Sequence, residues 1–128
     1  MAIHKRQYPY NLYYAILSED TDADENTLRE NVGFLLLRLT ERERRILLMR
    51  YSEGFSYAGI GARYNLTRSR IQEICRGSLN RMRSPADVFI LREGVAAYIT
   101  FQSHHRSRPS PLRGAQRSGN PVGSNQSP

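Results

Sequence analysis

The sequence predicts an all-α fold, a small helical bundle followed by a disordered C-terminal tail. Three observations carry this. Between the two ends the apolar residues recur at helical spacing, with no alternating run of β-branched residues long enough to make a sheet. Helix-start signals recur along the chain at Thr27, Thr40, Ser56 and Thr67. After Phe101 there is no further Phe, Tyr or Trp, and the remaining chain is built mostly from Ser, Pro, Gly, Asn, Gln and Arg, too little apolar surface to offset the entropy of ordering. The expected organisation is an N-terminal extension with an acidic linker (1–24), a helical domain (25–102) and a disordered basic tail (103–128).

The first segment, "YPYNLYYAIL", sets Tyr10, Tyr13, Tyr14 and Leu17 at helical spacing. Such a stripe either packs into a core or presents an aromatic surface to a partner protein, and core packing is the commoner use. "SEDTDADE" follows and reads as a solvated linker, with imitation of nucleic acid as the other reading. A long helix is then expected from Thr27, because Thr27 and Glu30 have the T-x-x-E spacing of a capping box and Leu28, Val32, Leu35, Leu36 and Leu39 share one side. Gly33 weakens it by about 1 kcal/mol relative to alanine.

A second capping box, Thr40 with Glu43, restarts the chain into "ERERRILLMRY". There Ile46, Leu47 and Tyr51 face inward, while Arg42, Arg45 and Arg50 largely face out. Ser52 to Phe55, with Gly54, should end that helix. "SYAGIGARY" makes a short helix capped by Ser56, with Ile60 and Tyr64 four apart and glycines that allow close helix contact. Asn65 and Leu66 turn the chain, and Thr67 caps the next helix. Its buried face is Ile71, Ile74, Cys75, Ser78, Leu79 and Met82. At 100° per residue the opposite face carries Ser69, Glu73, Arg76 and Asn80, flanked by Arg68, Arg70, Gln72 and Arg83. Ser84 and Pro85 stop this helix, and "ADVFILREGVAAYITF" supplies a single last one ending near Phe101.

Charge narrows the function. Nineteen basic residues oppose twelve acidic ones, for a net +7, and Lys5 is the only lysine. An arginine-rich excess suits a polyanionic partner, because the guanidinium makes planar, bidentate contacts to phosphate and guanine. The first 37 residues are net acidic, which leaves the whole positive excess to the rest of the chain. A lone cysteine excludes an internal disulfide framework, and no apolar run is long enough for a membrane span or a secretory signal, so the expected compartment is the cytoplasm. His104, His105 and Cys75 lack any C-x-x-C or H-x-x-x-H spacing, so no metal is expected. No nucleophile, convergent carboxylate pair or phosphate cradle stands out, and "GIGARY" lacks the strand a dinucleotide site requires. The chain is therefore expected to be no enzyme, with no cofactor, no small-molecule substrate and no membrane partner.

A short helix, a tight turn and a longer helix with a basic outer face form the helix-turn-helix pattern, whose second helix enters the DNA major groove. The residue order goes further. "LTERERRILLMRY", then "SYAGIGARYNLTRSRIQEI", then "SLNRMRSP" resembles region 4 of the sigma-70 family of bacterial transcription initiation factors. The resemblance runs over roughly residues 28–101 and does not extend to the separate domain with which a full sigma factor binds core polymerase and melts the promoter. It implies a helix-turn-helix bundle of the winged-helix-like DNA-binding class, which binds double-stranded DNA at an upstream promoter element and docks on the flap of the RNA polymerase core. A second sigma-like subunit would supply the missing domain. By position it implies base reading by Arg68, Ser69 and Glu73 and phosphate contact near Arg70, Gln72 and Arg76, within a DNA-binding set that also includes Thr67 and Asn80. Many sigma factors carry glutamate after the first arginine and glutamine further along, where this chain has Ser69 and Glu73, so its preferred DNA should differ. Two other functions share the pattern: a polymerase-binding protein that does not itself read DNA, and the DNA-targeting subunit of a recombinase or transposase system.

Overall fold

A computed structural model describes residues 7–105, and these contain seven helices and no strand. They are α1 (Tyr10–Leu17), α2 (Glu25–Leu36), α3 (Glu41–Tyr51), α4 (Tyr57–Tyr64), α5 (Arg68–Asn80), α6 (Pro85–Glu93) and α7 (Val95–His105). The chain clusters into two units, Met1–Tyr98 and Ile99–Pro128. The expected tail falls mostly on residues 106–128, outside the described residues, while 103–105 form the last turn of α7.

One core serves the first unit. Leu12, Tyr13 and Ile16 of α1, Leu28, Val32, Leu35 and Leu36 of α2, Ile46, Leu47 and Met49 of α3, Ile60 of α4, Ile71, Ile74 and Cys75 of α5, and Ile90 and Leu91 of α6 belong to it. Burial of the Cys75 thiol raises its pKa and leaves it a small apolar filler.

The aromatic stripe of α1 departs from the expected one at Tyr14. Tyr13 is buried and Tyr10 and Leu17 pack against the core as expected, but Tyr14 is exposed and Leu12 and Ile16 complete the inward face. The Tyr10 hydroxyl donates to the Ala23 carbonyl at 2.7 Å. The Tyr13 hydroxyl donates to Glu19, whose carboxylate also accepts twice from Arg92 at 3.1 and 2.8 Å. Burial and this carboxylate push Tyr13 up to about 12. The acidic segment is thus fastened to α1 and α6 as well as solvated.

Three helix boundaries also differ from expectation. α2 starts at Glu25, capped by Asp24, whose carboxylate accepts from the Thr27 N–H at 3.3 Å. Thr27 is therefore a donor inside the first turn, since a charged carboxylate answers the helix N-terminus better than a hydroxyl. α5 ends at Asn80, and Met82 is buried in the turn after it. The single last helix is two. Gly94, at φ 103°, breaks it, and the Val95 N–H donates to the Oδ1 of Asn31, a buried residue of α2, at 3.1 Å. A non-glycine residue rarely holds that backbone angle. Ser84 and Asp87 form a capping box at the start of α6, where Pro85 stands at the first helical position. Asp87 is fully buried and pairs with Arg38 at 2.5 Å, tying the α2–α3 connection to α6.

Candidate nucleic-acid interface

The position of α5 is set by its two neighbours. On one side α3 begins with the Thr40–Glu43 capping box: the Glu43 N–H donates to Thr40 Oγ1 at 3.2 Å and the Thr40 N–H to Glu43 Oε1 at 3.1 Å. The same Glu43 carboxylate accepts from Arg81, just beyond α5, so one residue both caps α3 and anchors the end of α5. Burial raises the Glu43 pKa, but the bonds from Arg81 and from Thr40 outweigh it and hold the group charged.

On the other side α4 turns sharply into α5. The Gly59 N–H donates to Ser56 Oγ at 2.9 Å, starting α4. Asn65 ends it in the left-handed region, at φ 57°. The N–H groups of Asn65 and Leu66 both donate to the Gly61 carbonyl. A Cβ on Gly61 would lie 2.5 Å from the Leu66 carbonyl oxygen, so the turn closes this tightly only over glycine. The Arg70 N–H then donates to Thr67 Oγ1 at 3.1 Å, which starts α5. Arg50 belongs to the α3–α4 connection and does not simply face out. It is half-buried, donates to the Phe55 carbonyl at 3.2 Å and lies 4.0 Å over the Tyr57 ring.

The inward face of α5 is Ile71, Ile74, Cys75 and Ser78, with Leu79 half-buried. On the outward side Ser69, Glu73, Arg76 and Asn80 are all exposed, as are Thr67, Arg68 and Arg70, while Gln72 is half-buried. These residues do not all present free groups. Arg70 lies 3.3 Å from the Glu73 carboxylate, one turn on. Asn80 accepts from Arg83, which turns away from the outward face and donates to the carbonyls of Ile16 at 2.8 Å and Ala15 at 3.2 Å, at the end of α1. A polar groove of about 330 Å³ runs between the start of α3 and α5, lined by Arg42, Glu43, Arg70, Glu73, Gly77 and Arg81. Arg42, which the sequence places on the solvent face of α3 without a site role, lines this groove. Its place two residues after the Thr40 cap is the signal that puts it beside α5.

An exposed, arginine-rich surface led by a helix N-terminus suits a phosphate backbone and base edges. Among the described residues there is no group of three or more His, Cys, Asp or Glu that could hold a metal ion.

Residues 35–84 match the family model for sigma-70, region 4. The match supports a sigma-70 region 4 domain over this part of the chain. The matched span runs from the end of α2 to the Ser84 cap of α6 and contains the whole helix-turn-helix. Region 4 is a DNA-binding module of transcription initiation factors and not a catalytic one. In this protein α1, most of α2, α6 and α7 lie outside the matched residues. No curated protein and no solved structure matches the chain.

Proposed function

We propose that this protein is a sequence-specific transcription protein that reads an upstream promoter element with the N-terminal half of α5 while docked on bacterial RNA polymerase. The carrying observation is the outward face of α5, where Arg68, Ser69, Glu73 and Arg76 stand exposed together behind the Thr67 cap. With the helix N-terminus leading into the major groove, Arg68, Ser69 and Glu73 meet base edges. Arg70, Gln72 and Arg76 lie toward the phosphates, and the α3–α5 groove adds Arg42 to that set. Asn80, held by Arg83 at the far end of the helix, borders the footprint. Glu73 can accept from cytosine N4 and cannot donate, which gives the module a preference unlike that of a glutamine at the same place.

The test is co-purification with RNA polymerase followed by sequencing of the bound DNA, paired with selection from randomised duplexes by the purified protein. Enrichment of one motif in both experiments supports the proposal. Polymerase association with no enriched motif favours a polymerase-binding protein that does not read DNA. A motif without polymerase association favours a DNA-targeting subunit of another system.

A further inference from the structure

The arginines around α5 divide by what holds them. Arg81 reaches back to Glu43 of α3, and Arg83 to the carbonyls at the end of α1, so both tie elements of the fold together. Arg70 is different. Its partner is Glu73 on the same helix and the same solvent side, 3.3 Å away, with the two side chains 51% and 61% exposed. The pair joins no two elements, and so exposed a contact opens readily. A carboxylate and a phosphodiester offer a guanidinium the same thing, two anionic oxygens in a plane.

We infer that Glu73 stands in for a DNA phosphate on Arg70, and that a cytosine at the base position Glu73 meets releases Arg70 to the backbone. The inference rests on the reading of α5 as a major-groove helix. In the free protein the Glu73 carboxylate occupies Arg70. Over guanine or thymine it meets only acceptors, and over adenine the amine sits beside the N7 acceptor, so it stays on Arg70. Over cytosine the N4 amine is a donor with no adjacent acceptor, and Glu73 moves to it. Arg70 is then free for the neighbouring phosphate. One base contact and one phosphate contact form together, and selectivity at this base pair acquires a salt dependence that base reading alone does not have.

The test measures the affinity of the full chain for two duplexes that differ at the position whose preference Glu73→Gln alters, one with cytosine and one with guanine, over a range of salt. For the unmodified protein the cytosine duplex should show a log–log salt slope steeper by about one, so that discrimination falls about threefold between about 0.1 and 0.3 M salt. Glu73→Gln leaves Arg70 free on every sequence, which should make the two slopes parallel and raise affinity for the guanine duplex. Arg70→Ala should also give parallel slopes while cytosine remains preferred. Parallel slopes in the unmodified protein with the cytosine preference intact would overturn the inference and leave the DNA-reading function standing. A slope difference that survives Arg70→Ala would overturn it as well. If the unmodified protein selects no base at any position, the reading of α5 falls and the inference with it.

Discussion

Gly61→Ala puts a methyl carbon 2.5 Å from the Leu66 carbonyl oxygen, on the peptide that leads directly into the Thr67 cap of α5. For ordinary contact at 3.4 Å the carbonyl must retreat by about 0.9 Å, and it cannot do so alone. The Leu66 N–H is held by the Gly61 carbonyl at 2.9 Å, so the turn is fixed from both sides. Overpacking of this kind costs about 1–3 kcal/mol. Weakening the bonds to the Gly61 carbonyl adds about 1 kcal/mol, and alanine's better helix propensity returns about 1 kcal/mol. The net expectation is a loss of about 2 kcal/mol. Gly33→Ala is the control, because beyond its own helix backbone its added Cβ meets nothing within 4 Å, and it should stabilise the domain by about 0.5–1 kcal/mol. Urea unfolding followed by helical circular dichroism reads both as shifts in midpoint at constant slope. A Gly61→Ala protein as stable as the unmodified one, or the two variants shifting the same way, would refute the close-packed turn.

Arg76→Ala should weaken binding to all duplexes alike and lower the salt slope by about one unit, as loss of a phosphate contact does; an unchanged slope removes Arg76 from the footprint. Arg83→Ala takes away both donors that hold the end of α1, and should cost about 1–3 kcal/mol and speed amide exchange in Tyr10–Leu17. Unaltered exchange there would mean that core packing alone holds α1. Bonds from Arg92 and Tyr13 hold the Glu19 carboxyl below its ordinary 4.5. A lowered folded value gives stability that is complete above the unfolded one and is lost as pH falls through the folded one. Arg92→Ala should therefore destabilise the protein at neutral pH and have little effect in strong acid, and an equal cost at both, measured by urea unfolding, would break the link.

Much of this molecule was legible wherever the signal is local. Thr40 with Glu43, Ser56 and Thr67 each start the helix their spacing announces, because a cap and its recipient lie within one turn. The inward face of α5 followed from periodicity alone at Ile71, Ile74, Cys75 and Ser78. What escaped depends on competition or distance. Asp24 and Thr27 both offer a cap to α2, and spacing does not rank a carboxylate against a hydroxyl. Which side of α1 turns inward is decided by α2 and α5, so the tyrosine spacing placed Tyr13 in the core but also Tyr14, which is exposed. The engagement of Arg83 by the end of α1 joins residues up to 68 positions apart, beyond the reach of any local pattern. The outward residues of α5 were readable as a face, but the i,i+3 spacing of Arg70 and Glu73 does not by itself decide that the two pair.

The Asn31 side chain that receives the Val95 N–H lies 64 residues upstream of it. An isolated segment as short as α7 is marginal in water, because its first turn fixes several residues for a single hydrogen bond. Here the acceptor that satisfies that turn is delivered by another helix. The start of α7 thus gains this bond only when α2 is in place, which couples a segment late in the chain to one early in it. Exchange protection at the Val95 amide becomes a gauge of α2 integrity. Asn31→Ala should loosen the start of α7 while leaving the capping boxes of α3 and α6 intact, separating a helix that carries its own start signal from one that borrows it.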